Sequence, residues 1–289
     1  MSDKTLNSIL FSAANEGWAL GHFNISGLEQ LRAIVNAART LRAPIHIGTS
    51  EGERKAIGLK QAVYLVRSFR DEFGIPIYLN ADHTKSVEEA KAAVDAGYDS
   101  IHIDLSARPF EENARGTKEI VEYAKARNKD ISVEGELGFL RGESKIQKEK
   151  IEVRPEDLTK PEEAVEFVRL TGVDRLAPVV GNIHGISANE PDLDIERVRA
   201  IHAALPQTTL VLHGGSGIPE AQIKAAITAG IANIHINTEL RLAYVTALRE
   251  FLAKSPDETT PYKLLVEPIA AVEELIKKKL TLFGSVNRI

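Results

Sequence analysis

The stretch PIYLNADHTKSVEEAKAAVDAGYDSIHIDLS, residues 76–106, contains two short apolar runs joined by one amphipathic segment. The runs are Pro76–Asp82 and Ser100–Ser106, and Ser86-x-x-Glu89 between them has the spacing of a helix capping box. The first run is mostly apolar, which is typical of a strand buried on both faces of a parallel sheet, and the second has Ile101, Ile103 and Leu105 at alternate positions. The stretch therefore predicts a β–α–β unit.

The same unit recurs along the whole chain. An apolar run, a polar tip and an amphipathic stretch follow one another eight times. The predicted strands are Trp18–Ile25, Pro44–Ser50, Pro76–Asp82, Ser100–Ser106, Ser132–Gly138, Arg175–Gly185, Thr209–Gly217 and Asn233–Glu239. Further helix-start signals occur at Ser26-x-x-Glu29, at Thr159-x-x-Glu162 and at Pro219. Eight β-then-α units predict an α/β fold of the (β/α)8 type, a TIM barrel.

A doubly wound open sheet is the alternative for this pattern. It would need a nucleotide-type glycine fingerprint after the first strand, and GHFNISG at residues 21–27 is not one. Additional helices over Thr5–Glu16 and Ile269–Leu280 are expected to pack outside the ring. The apolar stripe on the second of these fits packing on the barrel as well as an interface. Because no linker interrupts the repeat, we predict one domain over residues 1–289.

One connection is long, charged and poor in large apolar residues. It covers residues 139–160, FLRGESKIQKEKIEVRPEDLTK. A loop of this length in a compact domain is usually functional or disordered. It is either a mobile active-site loop that covers the barrel mouth or a solvated insertion.

Composition excludes several classes of protein. Hydrophobic residues make up 43% of the 289 residues and charged residues 27%, so the chain can bury a sizeable core. The formal net charge of −5 provides no field that would attract nucleic acid or anionic lipid. The absence of cysteine excludes disulfides and thiolate metal sites. Because no signal peptide or bilayer-spanning stretch is recognisable, we expect a cytoplasmic protein with no membrane partner.

Histidines concentrate at the carboxyl ends of the predicted strands, where the active sites of such barrels lie. Of the eight histidines, only His202 falls on a predicted outer helix. His83, His184 and His213 end strands three, six and seven. Three imidazoles with one open position form the ligand set of a catalytic zinc. A lone histidine is more often a hydrogen-bonded core residue, whereas three at adjoining strand ends favour a metal site.

Asp82 directly precedes His83. In an extended strand the two side chains point to opposite faces, so both reach the barrel mouth only if the strand ends between them. A carboxylate beside a metal-bound carbonyl can act as a general acid or base. The alternative is that Asp82 caps the following helix.

The segment His213-Gly-Gly-Ser-Gly217 leads into a predicted helix and offers free backbone N–H groups to an anion. TIM barrels commonly bind phosphate after strands seven and eight. Asn237, Thr238 and Arg241 at the end of strand eight would close the same site, with Arg241 adding positive charge. The alternative is that the glycines only form a tight turn.

A series of motifs spans nearly the whole chain, namely GHFNI, GTSEG, NADHT, SIHIDLS, VEGELG, GNIHG, LHGGSG, INTELR and LFGS. In order and spacing the chain resembles the class II, zinc-dependent ketose-bisphosphate aldolases, which act on fructose or tagatose bisphosphate. The resemblance implies that His83, His184 and His213 bind the catalytic zinc. It implies that Asp82 holds or protonates the C4 hydroxyl group. Asp104 and Glu136 match a second or alternate metal position.

The resemblance also implies substrate-binding roles. Gly185, Gly214 and Ser216 match residues that bind the phosphate of dihydroxyacetone phosphate, helped in many members by a monovalent cation, Na⁺ or K⁺. Ser50 and Arg241 match positions that contact the second phosphate. The remaining residues assigned to substrate binding by the resemblance are Asn24, which faces the bound ketose, and His235, Asn237 and Thr238 of the strand-eight motif.

The chain departs from the family pattern at three places. The family loop after strand five carries paired acids, of which the second is the base, whereas here Ser144 stands at the base position and Glu143 one residue earlier. Glu143 is therefore the candidate base. His235 replaces an asparagine and Asn237 an aspartate of the fructose-type motif. Lys263 stands where the family offers an arginine across the subunit interface.

The activity implied by the resemblance is that of a metal-dependent aldehyde-lyase of glycolysis. It would reversibly cleave fructose 1,6-bisphosphate to dihydroxyacetone phosphate and glyceraldehyde 3-phosphate through a zinc-stabilised enediolate. The alternatives are cleavage of tagatose 1,6-bisphosphate or another phosphorylated ketose, and a metal-binding paralogue without aldolase activity. Family members are generally oligomeric, so a homodimer or homotetramer is expected.

Overall fold

A computed structural model describes residues 4–189 and 192–289 of the chain. The strands are β1 (Leu20–Asn24), β2 (Ile45–Thr49), β3 (Ile77–Thr84), β4 (Ser100–Ile103), β5 (Ser132–Leu137), β6 (Gly142–Ile146), β7 (Arg175–Pro178), β8 (His184–Ile186), β9 (Thr209–Leu212) and β10 (Ile231–Ile236). The helices are α1 (Leu6–Glu16), α2 (Leu28–Leu41), α3 (Glu51–Ile57), α4 (Leu59–Phe73), α5 (Val87–Ala96), α6 (Phe110–Arg127), α7 (Pro161–Thr171), α8 (Ile195–Ala204), α9 (Glu220–Thr228), α10 (Thr238–Lys254), α11 (Pro261–Leu264) and α12 (Val266–Leu282).

Within the described residues, eight parallel strands close into a barrel in the order β1, β10, β9, β7, β5, β4, β3 and β2. The predicted TIM barrel is confirmed. Every residue of β1 and β2 is buried, because the barrel interior lies on one face and the helices cover the other. Among these residues, no helix combines the length and apolar character that crossing a bilayer requires.

The predicted sixth strand, Arg175–Gly185, is in fact two strands. β7 ends at Pro178, and β8 starts at His184 in a separate two-stranded sheet with β6. Between them Gly181 has a left-handed backbone with φ of +102°, and the Asn182 side chain accepts a hydrogen bond from the Val180 backbone at 2.8 Å. The chain therefore turns here instead of remaining extended, and His184 lies outside the barrel sheet.

The helix-start signals have mixed outcomes. Ser86 caps α5 by accepting a hydrogen bond from the Glu89 backbone at 3.2 Å, and Pro219 immediately precedes α9. The starts at Ser26 and Thr159 are wrong by one residue, because α2 begins after Gly27 and α7 after Lys160. The Thr159 hydroxyl instead bonds to the backbone beyond β7 and at the end of β5, so it is unavailable as a cap.

The helix at the carboxyl end is part of the ring rather than outside it. α12 packs against α2, α9 and α10 and contacts β1. Its buried residues Val272, Ile276 and Leu280 recur every four positions and form one apolar face. α10 buries only Thr238 and Leu240 near its start, so α12 provides the packing beside β1. The stripe on Ile269–Leu280 therefore packs on the barrel.

The 139–160 loop contains regular structure. It includes β6, which pairs with β8, and a short 3₁₀ turn at Pro155–Asp157. Arg141 near its start forms an ion pair with the buried Asp157 near its end, at 2.5 Å between Nε and Oδ2. These contacts fasten the loop beside the carboxyl ends of the barrel strands.

Candidate active site

An irregularity in β3 brings Asp82 and His83 to the same end of the barrel. The sequence predicted that both side chains reach the barrel mouth only if the strand ends between them. The strand instead continues to Thr84. The pairing of β3 with β4 shifts between Ala81 and Thr84, and His83 takes a left-handed φ of +44°. This local rotation breaks the alternation of side chains. Asp82 does not cap the next helix, whose N-cap is Ser86.

The three predicted metal-binding histidines converge at the barrel mouth. The ring centroid of His83 lies 4.6 Å from that of His213 and 4.8 Å from that of His184. The rings of His184 and His213 are 6.5 Å apart. His83 comes from β3, His184 from β8 and His213 from the residue after β9, so three separate elements supply them.

Carboxylates hold two of these imidazoles in defined tautomers. The His213 Nε2 lies 2.6 Å from Glu134 Oε1, and the His83 Nδ1 lies 3.0 Å from Asp104 Oδ2. Against the effect of burial, Arg175 and the nearby histidines hold the pKa of Glu134 well below its usual range, so it is an ionised acceptor. The histidine nitrogen that faces each carboxylate therefore carries the hydrogen. In the neutral ring the other nitrogen keeps its lone pair, which is the arrangement of metal-binding histidines. Against the effect of burial, Asp82 and Asp104 raise the pKa of His83, so a metal bound there would displace a proton.

The donor atoms fit a divalent metal ion. His213 Nδ1 is buried and has no hydrogen-bond partner among the described residues. Donor atoms of Asp82, His83, His102 and His213 all lie within 4.8 Å of one another. His184 is outside that set of donors but adjoins it. Burial and the neighbouring His83 and His213 rings lower the pKa of His184 well below its usual value, so its imidazole is neutral, as a ligand must be.

A second group of possible metal ligands adjoins the first. Donor atoms of His83, Asp104 and Glu136 also lie within 4.8 Å of one another. The His83 Nδ1 is 3.7 Å from Glu136 Oε2, and Ser106 donates to both carboxylates through its hydroxyl. The residues predicted for an alternate metal position therefore cluster around the same imidazole as the first site.

The Asp82 carboxylate is buried and surrounded by potential hydrogen-bond donors. Asn24 Nδ2 donates to its Oδ2 at 2.9 Å. Its Oδ1 lies 3.3 Å from His235 Nδ1 and 3.6 Å from His102 Nδ1. Burial alone would raise the pKa of Asp82, but His83, His102 and His235 hold it well below its usual range. Asp82 is therefore ionised in the folded protein and can accept a proton.

The glycine-rich loop after β9 has a backbone that only glycine permits. Gly214 has φ of +65°, and a Cβ there would lie 2.0 Å from the carbonyl oxygen of Ile183. Gly185 has φ of +84°, and a Cβ would lie 2.3 Å from the carbonyl oxygens of Glu143 and Lys145 in β6. The glycines therefore allow the histidine-bearing segments and the 139–160 loop to approach closely.

One cavity joins these elements. It is lined by Asn24, Ser50, Asp82, His83, Ser144, His184, Gly185, His213, Gly214, Ser216, His235, Asn237, Thr238 and Arg241. Most residues predicted from the sequence to bind substrate or metal therefore surround a single space. Three predicted site residues are absent from the lining, namely Asp104 and Glu136, which adjoin His83, and Glu143.

The family follows from comparisons with known proteins. The model of the family described as "Fructose-bisphosphate aldolase class-II" matches residues 4–288. The chain belongs to this family. It is 39% identical to a fructose-bisphosphate aldolase of Geobacillus stearothermophilus, over 100% of this chain and 99% of the relative.

Solved structures of similar proteins agree with this membership. The chain superposes on the YdjI aldolase from Escherichia coli K12 with a TM-score of 0.82 and 33% identity, over 98% of each chain. A putative fructose-1,6-biphosphate aldolase from Coccidioides immitis gives a TM-score of 0.84 and 30% identity, over 99% of this chain and 98% of that one. Members of this class II family are metal-dependent lyases, in agreement with the cluster of histidines at the barrel mouth.

The departures from the class II aldolase pattern have distinct surroundings. Glu143 is exposed and pairs with Lys145 at 2.8 Å, with its carboxylate outside the cavity lining. Ser144 lines the cavity instead, where its hydroxyl accepts a hydrogen bond from Arg241 at 2.7 Å and lies 3.2 Å from the Thr238 hydroxyl. Lys263 is half-exposed and pairs with Glu258 at 3.3 Å.

His235, the replacement for a family asparagine, belongs to a stack of imidazoles. Its ring lies parallel to that of His22, with centroids 3.5 Å apart, and 4.0 Å from that of His213. Neither of its ring nitrogens has a hydrogen-bond partner of good geometry among the described residues. Burial and the adjacent His22 lower the pKa of His235 well below its usual value, so it is neutral beside Asp82.

Sequence reasoning did not select three residues that support this site. Glu53 bonds to Asn24 and Ser50, Arg54 bonds to the backbone of Asp82, and the Asn182 amide donates to the His213 carbonyl at 3.0 Å. The motifs GTSEG and GNIHG lie over or beside these positions, so the quoted motifs mark the correct regions. Only the three-dimensional contacts distinguish the supporting residues from their neighbours.

Proposed function

We propose that this chain is a zinc-dependent aldolase that reversibly cleaves fructose 1,6-bisphosphate to dihydroxyacetone phosphate and glyceraldehyde 3-phosphate. One observation carries most of the support. A single cavity is lined by an ionised aspartate, by four histidines that include the three proposed metal ligands, and by the glycine-rich loop after β9. A carbon–carbon cleavage next to a ketone needs a base for the C4 hydroxyl, an electrophile for the ketone and an anchor for phosphate. This cavity has candidates for all three.

Asp82 is the base for the C4 hydroxyl in this proposal. Its carboxylate takes the hydroxyl proton while the C3–C4 bond breaks, and the bonding electrons pass to the ketone-bearing fragment. The aldehyde of glyceraldehyde 3-phosphate forms at C4. In the condensation direction the same residue returns the proton to the new hydroxyl group. The Asn24 amide orients the Asp82 carboxylate, and the neighbouring histidines keep it ionised.

His83, His184 and His213 would hold the metal, which we propose to be zinc because it favours nitrogen ligands and open tetrahedral sites. When bound there, zinc polarises the substrate ketone and stabilises negative charge on its oxygen. Asp104 and Glu136 are proposed as an alternate position for the metal. Glu143 remains our candidate for moving the proton at the carbon next to the ketone, which requires it to turn from Lys145 towards the cavity.

Phosphate binding is proposed at two places. Gly185, Gly214 and Ser216 are assigned to the phosphate of dihydroxyacetone phosphate, with Na⁺ or K⁺ as a further counter-charge. Ser50 and Arg241 are assigned to the second phosphate. His235, Asn237 and Thr238 complete the wall between the two and, with Asn24, contact the sugar chain.

The test is coupled detection of triose phosphate from fructose and tagatose bisphosphates, after chelation and after restoration with zinc. We expect cleavage that is lost with chelator and regained with zinc. Asp82→Asn should abolish turnover and leave zinc stoichiometry unchanged, whereas Asp95→Asn, at an exposed carboxylate paired with Arg127, should leave both unchanged. A zinc-loaded protein that cleaves neither sugar would contradict the proposal and favour a metal-binding paralogue without aldolase activity.

Tagatose 1,6-bisphosphate is the second candidate substrate. The two sugars differ in configuration at C4, and the histidine at position 235 adjoins Asp82, the residue assigned to that hydroxyl. Faster cleavage of the tagatose epimer in the same assay would replace fructose bisphosphate in the proposal.

We further propose a homodimer or homotetramer in the cytoplasm. Support comes from α10, which buries few residues and exposes Leu242, Val245 and Leu252. Light scattering after size-exclusion chromatography measures the mass directly. A monomer at micromolar concentration would contradict the oligomer.

A further inference from the structure

Glu53 is bonded to the active site without lining it. It lies in the first turn of α3 with 8% of its surface exposed. Its Oε2 accepts hydrogen bonds from the Ser50 backbone at 2.7 Å and from Asn24 Nδ2 at 2.9 Å. Its Oε1 accepts one from Asn237 Nδ2 at 3.3 Å. Each of these three partners lines the cavity, and Glu53 does not.

The three partners come from adjacent strands of the barrel. Asn24 is the last residue of β1, Ser50 follows β2, and Asn237 follows β10. These strands are neighbours in the order β10, β1, β2. One buried carboxylate therefore connects three consecutive strand ends at the cavity.

The Asn24 amide transmits this connection to Asp82. Its nitrogen donates to Glu53 Oε2 and to Asp82 Oδ2, both at 2.9 Å. Because the amide has two hydrogens and both are donated, its orientation is fixed. A flipped amide would place Oδ1 against two carboxylate oxygens with no hydrogen between them. The Asp82 oxygen is therefore fixed by an amide that Glu53 itself orients.

The residue after Glu53 holds the backbone of the same aspartate. Arg54 is buried, and its guanidinium donates to the Asp82 carbonyl at 3.2 Å and to the Thr84 hydroxyl at 3.1 Å. A third bond goes to the carbonyl of Thr49. Arg54 thus bonds directly to the bulged end of β3, whereas Glu53 reaches the Asp82 side chain only through Asn24.

We propose that Glu53 is a positioning residue for the carbon–carbon cleavage, which through Asn24 fixes the Asp82 carboxylate in the orientation that meets the C4 hydroxyl. The inference deepens the proposed function and rests on it. Glu53 also forms a capping box with Ser50, so a purely structural role at the start of α3 is the competing explanation. The two explanations differ in what a shorter, equally charged side chain would do.

Three variants separate these roles. Glu53→Asp keeps the charge and a residue that suits the first turn of a helix, but withdraws the carboxylate by one C–C bond, about 1.5 Å. Glu53→Gln keeps the length, and its amide oxygen can still accept from Asn24 and Ser50. Glu51→Ala is the matched control, since it removes a first-turn carboxylate that bonds only to the Lys85 backbone among its described contacts.

The experiment measures kcat, KM and Tm for the zinc-loaded proteins and determines their crystal structures. We expect Glu53→Asp to lower kcat by about tenfold or more with KM changed by less than about threefold, because a misplacement near 1 Å costs this much or more. Glu53→Gln should stay within about threefold of the unmodified kcat. Glu51→Ala should leave kcat unchanged.

The structures give a readout that does not depend on activity. In Glu53→Asp the Asn24 amide should leave its bridging position, and in Glu53→Gln its distance to Asp82 should stay near 2.9 Å. Glu53→Asp with unchanged kcat and an intact bridge would overturn the inference. Equal losses of kcat in the Asp and Gln variants would also overturn it, because the loss would then not depend on the position of the oxygen that accepts from Asn24. If the unmodified protein cleaves neither sugar, the proposed function fails, and an intact bridge in Glu53→Asp would still reject the positioning role.

Discussion

Replacing Glu134 with glutamine should weaken metal binding without touching a metal ligand. Glu134 is fully buried between His213 Nε2, at 2.6 Å, and Arg175 Nη1, at 2.5 Å. As a carboxylate it accepts from both. A glutamine has one oxygen and one NH₂ group, so it can accept from only one of them. The charged Arg175 is the stronger donor and should take the oxygen.

The NH₂ group of the introduced glutamine would then face His213 Nε2, and two donors cannot bond to each other. His213 should respond by moving its proton to Nδ1, which is the nitrogen available for the metal. Loss of a carboxylate that orients a metal-binding histidine typically costs 10–100-fold in affinity. That corresponds to about 1.4–2.8 kcal/mol of binding free energy. The buried Arg175 also loses its counter-charge, which costs about 3–5 kcal/mol of stability.

A second substitution separates the two effects. In Glu134→Gln/Arg175→Met the amide oxygen is free to accept from His213 Nε2, so the metal-binding tautomer returns. The uncompensated buried charge is also removed, and stability should recover. Zinc dissociation constants from competition with a chromophoric chelator, with Tm measured in parallel, provide the assay. The tautomer argument would be refuted if Glu134→Gln bound zinc within about threefold of the unmodified protein. It would also be refuted if the double variant did not regain zinc affinity.

Three further predictions concern the loop, the interior and the glycine-rich segment. Arg241→Ala removes charge-assisted hydrogen bonds to Ser144 in the 139–160 loop and should raise the rate at which trypsin cleaves this loop by about tenfold. Arg249→Ala, on the same helix, should leave the rate unchanged, and equal rates in the two variants would contradict the prediction. Burial lowers the pKa of His22 to about 3, so between pH 6.5 and 5 the unfolded chain binds a proton that the folded chain does not. The metal-free protein should lose about 1.6 kcal/mol of stability over this interval from His22 alone. His22→Gln should give a shallower dependence of stability on pH in urea unfolding. Gly214 has a φ of +65° and no room for a Cβ, so Gly214→Ala should destabilise the folded protein by at least about 1–3 kcal/mol and weaken dihydroxyacetone phosphate binding. A Cβ at Gly52 would lie in open space, so Gly52→Ala should not reduce Tm.

The barrel was predictable because its signal is repeated and local. Each strand is a short apolar run, and eight runs in series leave few topologies. The wrong details arise where a single residue changes the backbone. Gly181 turns the chain and divides the predicted sixth strand, and the sequence Val-Val-Gly-Asn-Ile-His does not reveal that an Asn182 side chain stabilises this turn. Strand boundaries depend on such contacts, whereas strand number does not.

The position of His83, His184, His213 and Asp82 at the barrel mouth was predictable, because all four were placed at the carboxyl ends of strands. Their common orientation was not, since it depends on the shifted register after Ala81 and on the φ of His83. The role of Glu53 was still less accessible. Its partners lie 29 and 184 positions away in sequence, at Asn24 and Asn237, and no local pattern identifies such contacts.

The barrel interior next to His213 contains many polar side chains that bond to one another. His46 Nε2 bonds to Ser100, His22 Nε2 to Asn80, and Ser100 in turn donates to Asn80. Arg175 and Glu134 provide opposite charges in the same interior. An apolar core would be at least as stable, since buried ion pairs often contribute little to stability. A polar interior, however, fixes the tautomer of His213 and the ionisation of Asp82. Among the described residues of this interior, unpaired nitrogens remain on His22 and His102, which do not line the cavity, and on His213 and His235, which do. A metal and a substrate in the cavity would provide partners for His213 and His235.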